Sequence, residues 1–167
     1  MSDPFDPQDT GWTPVSPRLA TARILIGTVT VVVVAVLVLA VLAVIAATTS
    51  MPTWLLAVPI VLALAAVAWL VWWAPRNARS WGYQETEEEL LVRHGIMFRR
   101  LVAVPYGRMQ FVDVEIGPLA RRLGFAKLSL HTASTETAST VPGVPHEEAL
   151  RLRVRLTELG ESRGAGV

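Results

Sequence analysis

Three histidines, one acidic run and two arginine pairs hold most of the chemical capacity of this sequence. His94 falls in a turn, His131 on the outer face of a strand and His146 at a helix start, so they lack the paired spacing that a zinc site requires. Glu87, Glu88 and Glu89 are consecutive, as in a solvated turn, whereas general acid and base catalysis needs a second carboxylate held in a pocket. The pattern GxSxG occurs at Gly160-Glu161-Ser162-Arg163-Gly164, but after a helical stripe and not after a strand, and no Walker loop or GxGxxG turn occurs, which leaves the usual hydrolase nucleophile and phosphate cradles without support. The chain has no cysteine, so thiol chemistry, disulfides and thiolate metal sites are excluded. A non-enzymatic protein with no cofactor and no metal is expected.

The arginine pairs are the more informative charges. Arg99 with Arg100 and Arg121 with Arg122 are candidates for contact with a partner or with anionic lipid, at about 1 kcal/mol per residue beside an anionic bilayer. Against that stands a plain solvated role, because neighbours on a strand put one side chain on each face. Nucleic acid is not the expected partner. Residues 74–167 carry 13 Lys and Arg against 11 Asp and Glu, and residues 1–23 carry Arg18 and Arg23 against Asp3, Asp6 and Asp9. Neither region has the clustered positive field that such binding needs.

The elements that would carry these residues divide sharply by composition. Hydrophobic residues make up 52% of the chain, with a mean hydropathy of +0.44, and the excess is concentrated in residues 24–73. Residues 24–47 are uncharged and predict a helix about 36 Å long at ~1.5 Å per residue, enough to span a bilayer with tilt. The β-branched run 29–34 would favour a strand in water, but an isolated strand in lipid leaves its amides unpaired. A signal peptide fits less well, since its apolar core is shorter and nearer the N-terminus. Residues 54–73 form a second uncharged run, with Pro59 in its first turns, where a missing amide costs least.

Trp54 at one end of that run and Trp69, Trp72 and Trp73 at the other are placed as interfacial anchors. Residues 48–53 allow only a tight turn, so 24–73 reads as an α-helical transmembrane hairpin. Arg18 and Arg23 flank its first helix, Arg76 and Arg79 its second, and the turn has none. The positive-inside rule then puts both termini in the cytoplasm, as a multi-pass protein of the cell membrane. Neither span holds an ionisable residue, the usual mark of an ion pathway. Gly27, Thr28, Thr30, Ala35, Ala43, Ala63 and Ala66 are candidates for a helix seam.

Residues 1–23 read as a disordered N-terminal tail in which Phe5 and Trp12 could form a docking motif. Beyond Arg79 the pattern becomes short runs separated by turns, the mark of an antiparallel β domain over 80–160. Strands are expected over 80–86, 89–93, 96–104, 110–116, 126–132 and 140–144, with His94-Gly95 a tight turn and 134–139 a loop. Residues 119–123 are short and helical. Val112, Val114 and Ile116 share one strand face, and Leu128 and Leu130 point inward. Residues 146–159 then take a helical period with Ala149, Leu152, Leu156 and Leu159 on one stripe and Arg151 and Arg155 on the outer face. Glu147 and Glu148 suit its start and Gly160 its stop, which leaves 161–167 a flexible tail.

Several segments in this order resemble the membrane-anchored bacterial pleckstrin-homology-like proteins, the YdbS-like group. They are Val104-Pro105-Tyr106-Gly107-Arg108-Met109-Gln110, Gly117-Pro118-Leu119-Ala120-Arg121-Arg122-Leu123-Gly124, Leu128-Ser129-Leu130-His131-Thr132-Ala133-Ser134 and Val141-Pro142-Gly143-Val144 before the Glu148-Ala149 helix. Family members often have Gly where this chain has Ser134. The resemblance implies a mainly-β pleckstrin-homology-like barrel or sandwich capped by a C-terminal α-helix, and a binding module. The acidic Glu87–Glu89 run departs from the basic early loop of phosphoinositide-binding members, so inositol-lipid recognition is not carried over.

Two functions follow as expectations. One is a non-catalytic binding or scaffolding subunit, resident in the bilayer, whose domain meets another membrane protein or a second copy of the chain. The other is a sensor of anionic lipid headgroups. Salt separates them, because exposed charge contacts are screened over ~10 Å at 0.1 M and a packed apolar interface is not.

Overall fold

The structure, a computed structural model, describes residues 11–49, 52–132 and 139–164. It comprises two compact units. One is residues 20–75, and the other takes chain from both flanks, residues up to 19 together with those from 76 onward.

The first unit is made by helices α1 (Arg18–Thr48) and α2 (Ala57–Arg79), with a 3-10 turn, Thr53–Leu56, between them. Both are long and apolar enough to cross a membrane. α1 starts at Arg18 rather than at 24 because Ser16 caps it: the Arg18 amide donates to Ser16 Oγ at 3.3 Å, and Pro17 supplies the preset φ that suits a helix entry. The helices run antiparallel. A Cβ on Gly27, early in α1, would collide with the Leu70 side chain, late in α2. An apolar groove of about 330 Å³ between them has walls that include Thr30, Ala35, Ala63 and Ala66, four of the expected seam residues. The Thr30 hydroxyl donates to its own helix at the Ile26 carbonyl, 2.9 Å away, which satisfies it without a partner across the seam.

The second unit is a sandwich of two antiparallel sheets that do not close into a barrel. One sheet orders β1 (Thr13–Pro14), β2 (Gly82–Glu85), β3 (Glu89–His94) and β4 (Arg100–Pro105); the other orders β5 (Met109–Glu115), β6 (Phe125–Thr132) and β7 (Ser139–Pro145). Period-two alternation sends Tyr83, Leu90, Val92 and Val104 inward from the first sheet. Val112, Leu128, Leu130, Val141 and Val144 go inward from the second. Ile116 is exposed beyond the end of β5 instead of joining Val112. α3 (Pro118–Leu123) bridges the β5–β6 connection and ends on Gly124 at φ +73. α4 (His146–Gly164) closes the core with fully buried Ala149, Leu152 and Leu156.

Three expectations need correction. Residues 1–10, Phe5 among them, and residues 133–138 lie outside the described residues, but 11–17 are not a tail: Thr13 pairs with Tyr83, Pro14 with Gly82, and Val15 is buried. The strand expected from 96 begins at Arg100. Gly95 at φ +108 opens a wider turn, and a Cβ there would collide with the Phe98 carbonyl. α4 passes Gly160, which lies against Tyr106 and Met109, and continues to Gly164, so only 165–167 of the expected flexible tail fall beyond the helix and outside the described residues. Arg151 and Arg155 lie on the outer face of α4, as expected, and carry ion pairs there. Both reach across to Glu85 on β2, and Arg151 also holds Glu148 at 2.6 Å.

Candidate functional site

The end of α2, the end of β3 and the β3–β4 turn converge on one groove of about 310 Å³. Its walls are Arg76, Arg79, Ser80, Arg93, His94, Gly95, Ile96 and Arg99, so four guanidinium groups and no carboxylate line it. β3 puts Leu90 and Val92 inward, and the same alternation turns Arg93 outward, where its guanidinium lies 4.4 Å over the Trp12 ring. His94 stacks on Trp81 with ring centroids 4.5 Å apart. Burial, then the nearby charge of Arg100, pushes the His94 imidazole below its ordinary pKa and favours the neutral ring. The turn presents Met97 and Phe98 at 83% and 79% exposure, with Ile96 also exposed.

The members of each sequence-derived arginine pair have different surroundings. Arg99 lines the groove, while Arg100 opens β4 opposite His94. Arg121 lines a different cleft of about 400 Å³ with Ile116, Ala120, Gly124, Phe125 and His146, and Arg122 lies on the exposed side of α3. Arg93 was missed as a site residue, and Arg76 and Arg79 were read only for topology. The outward phase of Arg93 on β3 was visible in the sequence, but its meeting with the end of α2 was not. Of the four tryptophans, Trp54 lies in the 3-10 turn and Trp69, Trp72 and Trp73 in the later part of α2. The rings of Trp69 and Trp72 are 5.1 Å apart.

A second polar cluster ties α4 to β2. Tyr83 donates its hydroxyl to Glu148 at 3.4 Å, and burial together with the Glu148 charge holds that hydroxyl protonated far above its usual range. The Arg151 hydrogen bond depresses the Glu148 carboxyl below the usual carboxylate range, against the opposing effect of burial. Glu85 Oε2 makes no hydrogen bond, but Arg155 Nε lies 3.3 Å away and supplies a compensating charge. The cluster is a clamp between elements. Elsewhere His131 stacks on Phe111 at 4.1 Å on the outer face of the second sheet, and among the described residues no three of His, Asp and Glu converge as metal ligands.

An open two-sheet sandwich with a capping helix, preceded by a pair of helices long and apolar enough to cross a membrane, is a pleckstrin-homology-like arrangement. The family described as "Bacterial PH domain" matches residues 19–159, which is most of the chain, and the chain belongs to that family. It is similar to "UPF0699 transmembrane protein YdbS" of Bacillus subtilis (strain 168), 35% identical over 81 residues, covering 48% of this chain and 50% of that protein. The chain thus spans about half the length of the curated relative it matches. No solved structure matches.

Proposed function

We propose that this chain is a membrane-anchored, non-catalytic binding subunit that recognises another membrane protein, or a second copy of itself, through its domain and its hairpin together. The observation that carries the reading is that one folded unit takes in chain from both sides of the hairpin. Ser16 donates its amide to the Gly143 carbonyl at 2.7 Å, Arg18 reaches the Leu123 carbonyl at 3.0 Å, and Arg76 onward belongs to the same unit. A chain tied at both ends to one domain must enter and leave the bilayer on one side. Arg18, Arg23, Arg76 and Arg79 make that side the cytoplasm, and Trp54, Trp69, Trp72 and Trp73 serve as interfacial anchors.

Binding rather than turnover fits the family, and the GxSxG pattern at 160–164 lies within α4 and not at a strand-to-helix elbow. The domain offers the cleft beside Arg121 and the exposed pair Leu150 and Val154 on α4 as partner surface. The hairpin offers its lateral faces, and it needs two helices where one would already anchor. The test replaces residues 24–73 with an unrelated two-helix anchor. The domain should stay in the membrane fraction while recovery of the partner in mild detergent falls. Full recovery would confine recognition to the domain, and a catalytic activity abolished by one polar substitution would overturn the binding reading.

A further inference from the structure

We propose that two copies of this chain pair through their β4 edges, antiparallel about a two-fold axis beside Val102, so that their first sheets join into one. The pairing rests on the binding reading above and deepens it by naming a second copy as the partner and β4 as the surface. A sheet edge carries amides and carbonyls that no neighbouring strand bonds, and proteins blunt such edges with shortness, proline, bulges, charge or cover. Among the described residues three of the four edges are blunted in this way. β1 has two residues and ends on Pro14. β5 is bulged at Gln110 and carries Asp113 and Glu115. β7 is bulged at Gly143, whose carbonyl accepts the Ser16 amide, and holds Pro142 and Pro145. β4 keeps unbroken register with β3, has no described strand on its other side, and runs Leu101-Val102-Ala103-Val104 without a charge.

The two ends of β4 differ in charge, and that selects the occupant. At its start Arg100 pairs with His94, between Arg93 and Arg99. At its end Pro105 pairs with Glu89 and the Glu88 carbonyl accepts the Tyr106 amide, so Glu87, Glu88 and Glu89 gather there. A second copy laid antiparallel puts the basic end of each along the acidic end of the other, twice, as an isologous contact requires. A parallel copy would set like charges side by side. Alternation then fixes the centre. Leu90, Val92 and Val104 point inward, so Glu89, Leu91, Arg93, Leu101 and Ala103 lie on the outer face. Directly opposed residues share a face, and centring on Val102 sets Leu101 against the partner's Ala103 while overlapping residues 100–104 in full. The same reversal carries the exposed Met97 and Phe98 of each copy toward Pro105 of the other, which gives that apolar turn a neighbour.

The chain has no cysteine, so a cross-link reports position directly. Full-length chains carrying Leu101→Cys or Ala103→Cys are purified in mild detergent, each alone and after co-expression, and oxidised. Opposed residues lie ~4.5–5.5 Å apart at Cα, within disulfide range, whereas 101 with 101 or 103 with 103 is a diagonal of ~7–8 Å, beyond it. The expected result is a disulfide-linked dimer in the co-expressed sample and little in either chain alone. Ala103→Lys, which alters the pair twice per dimer, should weaken dimerisation about tenfold by light scattering, and Ala103→Val should retain it, with far-ultraviolet circular dichroism unchanged in both. Arg99→Glu should weaken it likewise, and adding Glu89→Arg should restore it. A dimer without the 101–103 link, or equal linking in all three samples, would overturn β4 pairing and leave self-association to another surface. A monomer that still recovers a different membrane protein would sink this proposal alone, and a monomer that recovers none would sink the binding reading with it.

Discussion

Gly143 shows how much one residue can hold. Its φ of +78 is a conformation that a side chain resists, it sits at the register shift between β6 and β7, and a Cβ there would come within 2.9 Å of Leu19. Gly143→Ala is expected to cost about 1–2 kcal/mol, combining the left-handed penalty with displacement of Leu19. A melting curve in detergent measures it, and an unchanged midpoint would mean that the 11–19 segment does not dock. Glu148 sets a pH dependence whose sign follows from its depressed carboxyl. The unfolded carboxyl titrates near ~4.3 and the folded one lower. Its contribution to stability is therefore complete above the unfolded value and lost as the pH falls through the folded one. Glu148→Gln should flatten that acid limb, lowering the melting temperature most near pH 7 and least in acid, where the wild-type carboxyl is itself protonated. The effect is modest because the Arg151 side chain is substantially exposed to screening solvent.

At the scale of elements, periodicity was legible and long-range partnership was not. The helical stripe of α4, the alternation of β5 and β6 and the two apolar spans could be read because each is a repeat within one segment. Leu152→Ala or Leu156→Ala should each cost roughly 2–5 kcal/mol, since both are fully buried beneath the sandwich; unchanged melting for both would show an undocked helix. Ile96, Met97 and Phe98 misled as strand residues because apolar composition alone does not distinguish a strand from an exposed turn. β1 escaped notice because two residues carry no period, and its partner lies beyond the hairpin. The candidate groove was half visible for the same reason. Arg99 stood out as one of a pair, but Arg93 gains meaning only when β3 is laid against the end of α2.

At the scale of the whole molecule, the domain does not coincide with residues 80–160. A fragment of residues 76–167 lacks β1, Val15 and Leu19, so it should melt below a version in which residues 11–19 are rejoined through a flexible linker; equal midpoints would make the segment ornamental. Reporters fused at either end of the full chain should both give a cytoplasmic signal, and a periplasmic one at either end would reverse the topology. The pairing of β1 with β2 also sets an order of assembly. It closes a loop of roughly 70 residues, whose closure in a free chain costs on the order of 3–4 kcal/mol of entropy by the logarithmic length law. A hairpin that has already inserted draws the two ends together and removes most of that cost. A chain in which only one of the two helices inserts leaves Thr13 and Tyr83 on opposite sides of the bilayer, and its first sheet stays open at β2. Completion of the sandwich would then require that both helices have inserted, and half-inserted chains would keep that edge open to proteases.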